Sequence, residues 1–257
     1  MDMAKSLTLC AALAACLAVA TAGWSQGTAT FYGGADGSGT MGGLCGYGNL
    51  YDAGYGVLNA ALSQTLFNDG ASCGQCYLIT CDGSRQNGQY CKPGNSVTVT
   101  ATNLCPANYG LANGGWCGPG RPHFDMAQPA WERIGVYQAG VIPVLYQRVK
   151  CSRSGGVRFS IARGGGPSYE YLLVTIQNVA GSGSVAAAWV KGDKTSWIQM
   201  SRTPWSAIWK TPISGLVGQV LSFAVTSTGR QYIEFLNVAP AGWQFGQAFP
   251  TNQNFNY

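Results

Sequence analysis

The chain has 257 residues, 10 % of them charged, 46 % hydrophobic and 12 % aromatic, and a formal net charge of +5. A disordered chain would carry more charge and fewer aromatics, so the composition describes a globular protein with room for one large or two ordinary domains. The 37 glycines, set among recurring Val, Thr, Tyr and Trp, predict short strands and tight turns rather than long helices.

At the start, Lys5 precedes an apolar run over 7–20 and the small-x-small triplet Ala20-Thr21-Ala22. This reads as a secretory signal peptide over residues 1–22, with the mature chain expected to begin near Gly23. No later stretch is apolar for long enough to span a bilayer, so stable membrane insertion is not expected. Of the ten cysteines, Cys10 and Cys16 fall in the leader; the rest are Cys45, Cys73, Cys76, Cys81, Cys91, Cys105, Cys117 and Cys151. An even set in an oxidising compartment predicts disulfides, in a pairing that counting leaves open. Cys73-x-x-Cys76 also fits a redox or zinc motif, but a secreted chain with one histidine is poor in metal ligands, and neither metal nor cofactor is expected.

Further along, strands are predicted over 27–32, 76–80, 96–103 and 144–149, and helices over 59–67 and 128–138, the first on Leu58, Leu62 and Leu66. After Cys151 the cysteines stop, and 152–156 reads as a small, polar, Gly-containing linker. Alternating or apolar runs over 157–161, 171–179, 185–191, 219–226 and 231–238, separated by turns, predict a β-sandwich. The charge divides too: residues 23–151 hold six acids and six bases, whereas 152–257 hold three acids against eight bases. Nucleic acid is excluded as a partner by secretion; the basic half either meets an acidic matrix such as pectin or is simply kept soluble by its charge.

Several spaced motifs resemble the alpha-expansins. They are Thr28-Ala29-Thr30-Phe31-Tyr32-Gly33-Gly34, 39–50 around Cys45, Cys73-Gly74-Gln75-Cys76, 99–106 around Asn103, His123-Phe124-Asp125, and 241–247 around Trp243. Gly114-Gly115-Trp116-Cys117 matches an insertion that separates the alpha from the beta group. The resemblance implies a mainly β protein, with a disulfide-rich double-psi β-barrel over 23–151 and an immunoglobulin-like, cellulose-binding β-sandwich over 157–257. It further implies disulfides Cys45–Cys73, Cys76–Cys151, Cys81–Cys91 and Cys105–Cys117. A monomer in the plant cell wall is expected, acting on cellulose and xyloglucan by acid-favoured loosening without hydrolysis.

Asp125 corresponds to the acid of double-psi-barrel endoglucanases. An inverting hydrolase needs a second carboxylate as base, and the matching position here is Gly34; Asp36, two residues on, is the only local substitute. Relatives carry an aspartate at the Asn103 position. Thr30, Tyr32, Asn103 and Asp125 are expected to form a groove floor with His123 beside them. Asp125 also fits a helix N-cap, and His123 a structural role. Flat C–H faces of sugars pack on aromatics. Tyr171 and Trp205, with Trp197 as a weaker candidate, are expected to form a platform that Phe31 and Tyr32 continue across the barrel, while Trp189, Trp209 and Trp243 are expected in the core. A cryptic endoglucanase and a non-catalytic wall-binding or defence lectin are the rival readings.

Overall fold

The computed structural model describes residues 23–166 and 169–256; the leader predicted over 1–22 lies outside the described residues. Six strands, β1 (Ser25–Tyr32), β2 (Asn59–Leu62), β3 (Cys76–Cys81), β4 (Ser96–Leu104), β5 (His123–Ala127) and β6 (Ile142–Val149), close into a barrel in the order β1-β5-β2-β4-β3-β6. The β1/β5 and β2/β4 pairs are parallel and the other four antiparallel. Strand alternation fills the barrel: Val97, Val99 and Ala101 of β4, Phe124 and Met126 of β5, and Ala29 of β1 point inward. Alanines at 29, 60 and 101 opposite Phe124 and Met126 mix small with large, as a narrow barrel requires.

The predicted helix over 59–67 is corrected. Residues Asn59–Leu62 form β2, hydrogen-bonded to β4 on one side and β5 on the other, and only Gln64–Phe67 is helical (α1). All four residues of β2 are buried, and a strand buried on both faces has no alternation to distinguish it from a helix. The helix over 128–138 likewise shrinks to α2 (Gln128–Trp131), with proline in its first turn. The chain leaves the helix by Gly135, where an added Cβ would lie 2.9 Å from Ile142 Cδ1.

The second unit is a sandwich of antiparallel sheets. One contains β10 (Ile198–Gln199), β9 (Val185–Gly192), β13 (Leu221–Ser227) and β14 (Tyr232–Ala239), in that order. The other runs β11 (Ser201–Arg202), β12 (Ile208–Lys210), β8 (Tyr169–Gln177), β7 (Arg158–Gly166) and β15 (Ala248–Pro250). Phe159 stacks on Phe223 at 4.4 Å across the interface, among Ile161, Val174, Val190, Trp209 and Trp243.

The units are clamped, not tethered. Ala207 N donates to Cys45 O at 3.0 Å, Trp205 N to Asp69 O at 3.1 Å, and Cys151 and Gly181 exchange backbone bonds. Arg153, read from sequence as part of a free linker, instead reaches into the barrel: it donates to Thr100 Oγ1 at 3.0 Å and lies 4.7 Å from the centre of the Tyr55 ring. The structure joins Cys45–Cys73, Cys76–Cys151, Cys81–Cys91 and Cys105–Cys117. Among the described residues no helix is long and apolar enough to cross a membrane.

Candidate functional site

Parallel pairing of β1 with β5 sets Thr28 beside His123 and Thr30 beside Asp125. Residues paired across strands share a face, so these four side chains stand on the outer face, opposite the Ala29 and Phe124 that fill the core. They form a hydrogen-bonded row. Thr30 Oγ1 donates to Asp125 Oδ1 at 2.8 Å and lies 2.8 Å from His123 Nε2, and Thr28 Oγ1 lies 2.7 Å from His123 Nδ1. A threonine has one hydroxyl proton. With Asp125 ionised, Thr30 gives that proton to the carboxylate and must accept from Nε2–H, which leaves Nδ1 to accept from Thr28.

Asp125 therefore lies within a strand. The residue that caps α2 is Ala127, with no side-chain bond, so the N-cap reading does not hold. Burial raises the Asp125 carboxyl above its ordinary value, opposed by the Thr30 hydrogen bond. Burial also raises the Tyr32 phenol; the Asn103 amide works against that rise and the Asp125 carboxylate adds to it. The Tyr32 hydroxyl is buried, with the Asn103 amide beside it. Asn103 Oδ1 accepts from Leu44 N at 2.7 Å and Leu104 N at 2.9 Å. Its oxygen is thus spent on the backbone, and its amide nitrogen is the end left for the groove.

Gly34 has φ +79° and so suits glycine. Asp36 is exposed, and its Oδ1 accepts from Ser38 N at 3.0 Å and Ser38 Oγ at 2.9 Å. Those bonds lower its pKa, making it a weaker base and holding it in its turn.

His123 is 0 % exposed, and burial lowers its pKa to about 4. Its stabilising contribution is therefore complete above the unfolded value near 6.5 and is lost as pH falls towards about 4, with a slope of up to about 1.4 kcal/mol per pH unit. As the chain has one histidine, its imidazole resonances are unambiguous. They should titrate near 4 in a pH series followed by NMR, and a midpoint near 6.5 would show that the ring is not buried as described.

The aromatic expectations divide. Tyr171 lies on the outer face of the five-stranded sheet, beside Gly164, where any Cβ would run into its ring, and Lys210 Nζ lies 4.2 Å from its centre. Trp205, 39 % exposed, stacks on Phe67 of the barrel at 6.4 Å. Its φ of +63° is strained for a bulky residue. Gly70 makes that fit possible, since a Cβ there would lie 2.5 Å from Ser206 N.

Three expectations are corrected. Phe31 points opposite to Tyr32 and packs on the core, 5.1 Å from Trp131 and 5.0 Å from Tyr137, because neighbours in a strand face opposite ways. Trp197 precedes β10 and sits 5.7 Å from Lys191 Nζ, on the four-stranded sheet rather than with Tyr171. Trp189 is half-buried on that sheet's outer face, edge-on to Tyr232 at 6.1 Å, rather than in the core. The sequence reading did not single out Thr28, although its alternation with Ala29 is the available signal. It also passed over Trp116 as a site residue, although the ring, 47 % exposed, stacks on His123 at 6.0 Å.

A lytic transglycolase family model matches residues 59–146, and the expansin C-terminal domain model matches 157–240. Expansin-A19 of Oryza sativa subsp. japonica is 62 % identical over 251 residues, covering 98 % of each chain. Expansin-A7 of Arabidopsis thaliana is 51 % identical, over 90 % of this chain and 86 % of its own. Among solved structures, a mutant Clavibacter michiganensis expansin in complex with cellohexaose superposes with a TM-score of 0.65 at 19 % identity, over 91 % of this chain and 98 % of the other. A barrel and sandwich in this order, with near-complete overlap with relatives at such identity, place the chain in the alpha-expansin family.

Proposed function

We propose that this protein loosens the plant cell wall by parting polysaccharides held together non-covalently. The β1–β5 strip would grip a glucan or xyloglucan strand while the outer face of the five-stranded sheet rests on cellulose. Expansins are non-enzymatic, and the observation that carries the mechanistic reading is that Asp125 is the one carboxylate of the strip. Without a second acid the strip can hold a sugar hydroxyl but cannot both protonate a leaving oxygen and activate water. Protonated Asp125 and the Asn103 amide would bind hydroxyl groups, with the Tyr32 ring beside them, and Thr30 and His123 would set the Asp125 orientation. The residues that do this work fall in 23–151, and 157–257 would carry the cellulose platform.

The bacterial expansin solved with cellohexaose supports cellulose as the partner, and the family's place in the cell wall supports the compartment. Tyr171 and Trp205 are the platform residues on this reading; Phe31 and Trp197 are not. In a cellulose pull-down, Tyr171→Ala combined with Trp205→Ala should weaken binding at least about tenfold, equivalent to about 1.4 kcal/mol. Trp197→Ala, on the opposite sheet, should shift binding less than about twofold. Equal losses in the two variants would move the platform elsewhere.

A further inference from the structure

Beyond Thr28 the strip opens into a cleft of about 550 Å³ lined by Thr28, Trp116, Arg85 and Arg121. Thr28, Arg85 and Trp116 also line the adjoining hollow. The glucan grip uses none of Trp116, Arg85 or Arg121. The Cys105–Cys117 disulfide ends one residue after Trp116 and fixes its loop, and His123 supports the ring from below. Arg85 Nη1 donates to Gly27 O at 3.2 Å and Arg121 Nη1 to Gly115 O at 3.1 Å. Each guanidinium has five donors, so both are held in place with donors to spare. Among the described residues neither arginine is ion-paired; the pair present there is Arg163 with Glu170.

We propose that this cleft is a subsite for an acidic sugar, a uronic-acid residue of a wall glycan. Trp116 would take the flat face of the ring, as aromatics do with the C–H faces of sugars. Arg85 and Arg121 would take the carboxylate, whose two oxygens match the planar fork of a guanidinium. Two cations without a carboxylate beside an open indole suit an anionic ring better than a neutral one. The residues 28–32 of β1 that connect the cleft to the Tyr32 end span about 13 Å at strand rise, so one glycan chain could occupy both. The subsite thus rests on the reading of the strip as a glycan groove. It is separate from the positive charge of the sandwich, which lies in the other unit.

The test is calorimetric titration of the full-length protein with a galacturonic-acid oligomer, its fully methyl-esterified form, and a xyloglucan oligosaccharide. The acid form should bind at least about tenfold more tightly than the ester, a difference of about 1.4 kcal/mol. In Arg85→Gln combined with Arg121→Gln that ratio should fall to near unity, and Arg85→Lys with Arg121→Lys should keep part of it. Trp116→Ala should weaken the acid and the ester together. A preference for the acid that persists in the glutamine variant would assign uronate binding to the sandwich and overturn the proposal. Xyloglucan binding without preference for the acid would overturn the subsite while leaving the groove; failure of all three ligands would overturn both.

Discussion

Asp125→Asn should loosen walls at neutral pH, where the wild type should fade, whereas Asp125→Ala should lose activity at every pH. The expectation follows from where the proton goes. Oδ1 is engaged by Thr30, so protonation falls on Oδ2 and turns that atom into a donor. Burial makes the charged form unfavourable and raises the pKa, extending the protonated form into the acid range of the wall. Activity carried by that donor is present below the folded pKa and disappears as pH rises through it. Asparagine copies the protonated acid, with its oxygen towards Thr30 and an amide N–H at the position of Oδ2. Alanine removes the donor and leaves the bound sugar hydroxyl unpaired, a loss of about 1–3 kcal/mol, or roughly 5- to 150-fold in grip. Extension of wall strips under constant load in acid and in neutral buffer would decide it. An Asp125→Asn protein dead at both would remove the protonated donor from the account.

The same direction has a consequence for stability. A raised carboxyl pKa means that stability falls as pH rises from the unfolded value of 3.8 through the folded one. His123 acts in the opposite sense, costing stability as pH falls from 6.5 towards about 4. Asp125→Asn should remove the first slope and keep the second.

The largest expected loss of stability comes from Cys76→Ser with Cys151→Ser. This bridge closes a loop of 75 residues, against 10 for Cys81–Cys91. In the chain-entropy account the two contribute about 4.5 and about 2.7 kcal/mol. The long bridge also anchors the junction: Cys151 and Gly181 exchange backbone bonds, and an added Cβ on Gly183 would collide with Cys151 Sγ. Its removal should lower the melting temperature by roughly 10–15 °C and weaken the Trp205 contact with Phe67. A smaller fall than that of Cys81→Ser with Cys91→Ser would show that the junction does not depend on the bridge.

Much of the sandwich was legible because several strands have one wet and one dry face, as with Phe159 and Ile161 of β7 and Ala188 and Val190 of β9. The barrel was less so. β2 is buried on both faces and looked helical, and β5 was overlooked although His123 and Asp125 alternate with Phe124 and Met126. The candidate site joins residues about a hundred positions apart through one parallel pairing, and such non-local pairing has no period to read. Motif resemblance, not pattern, brought Thr30, Tyr32, Asn103, His123 and Asp125 together. The Trp116 cleft stayed hidden although Trp116 lies in a resembling motif, since Arg85 and Arg121 come from separate loops that only the closed barrel unites. Arg153 was hidden for another reason: its neighbours are small and polar, so its burial against Tyr55 had no local sign.

Purified protein should be added to heat-inactivated wall strips under constant load in acid buffer, with reducing sugar assayed in the same vessel. Extension with no sugar released above the protein-free control is the predicted result. Sugar release rising in step with extension would contradict it, and would make Asp36 the next residue to replace.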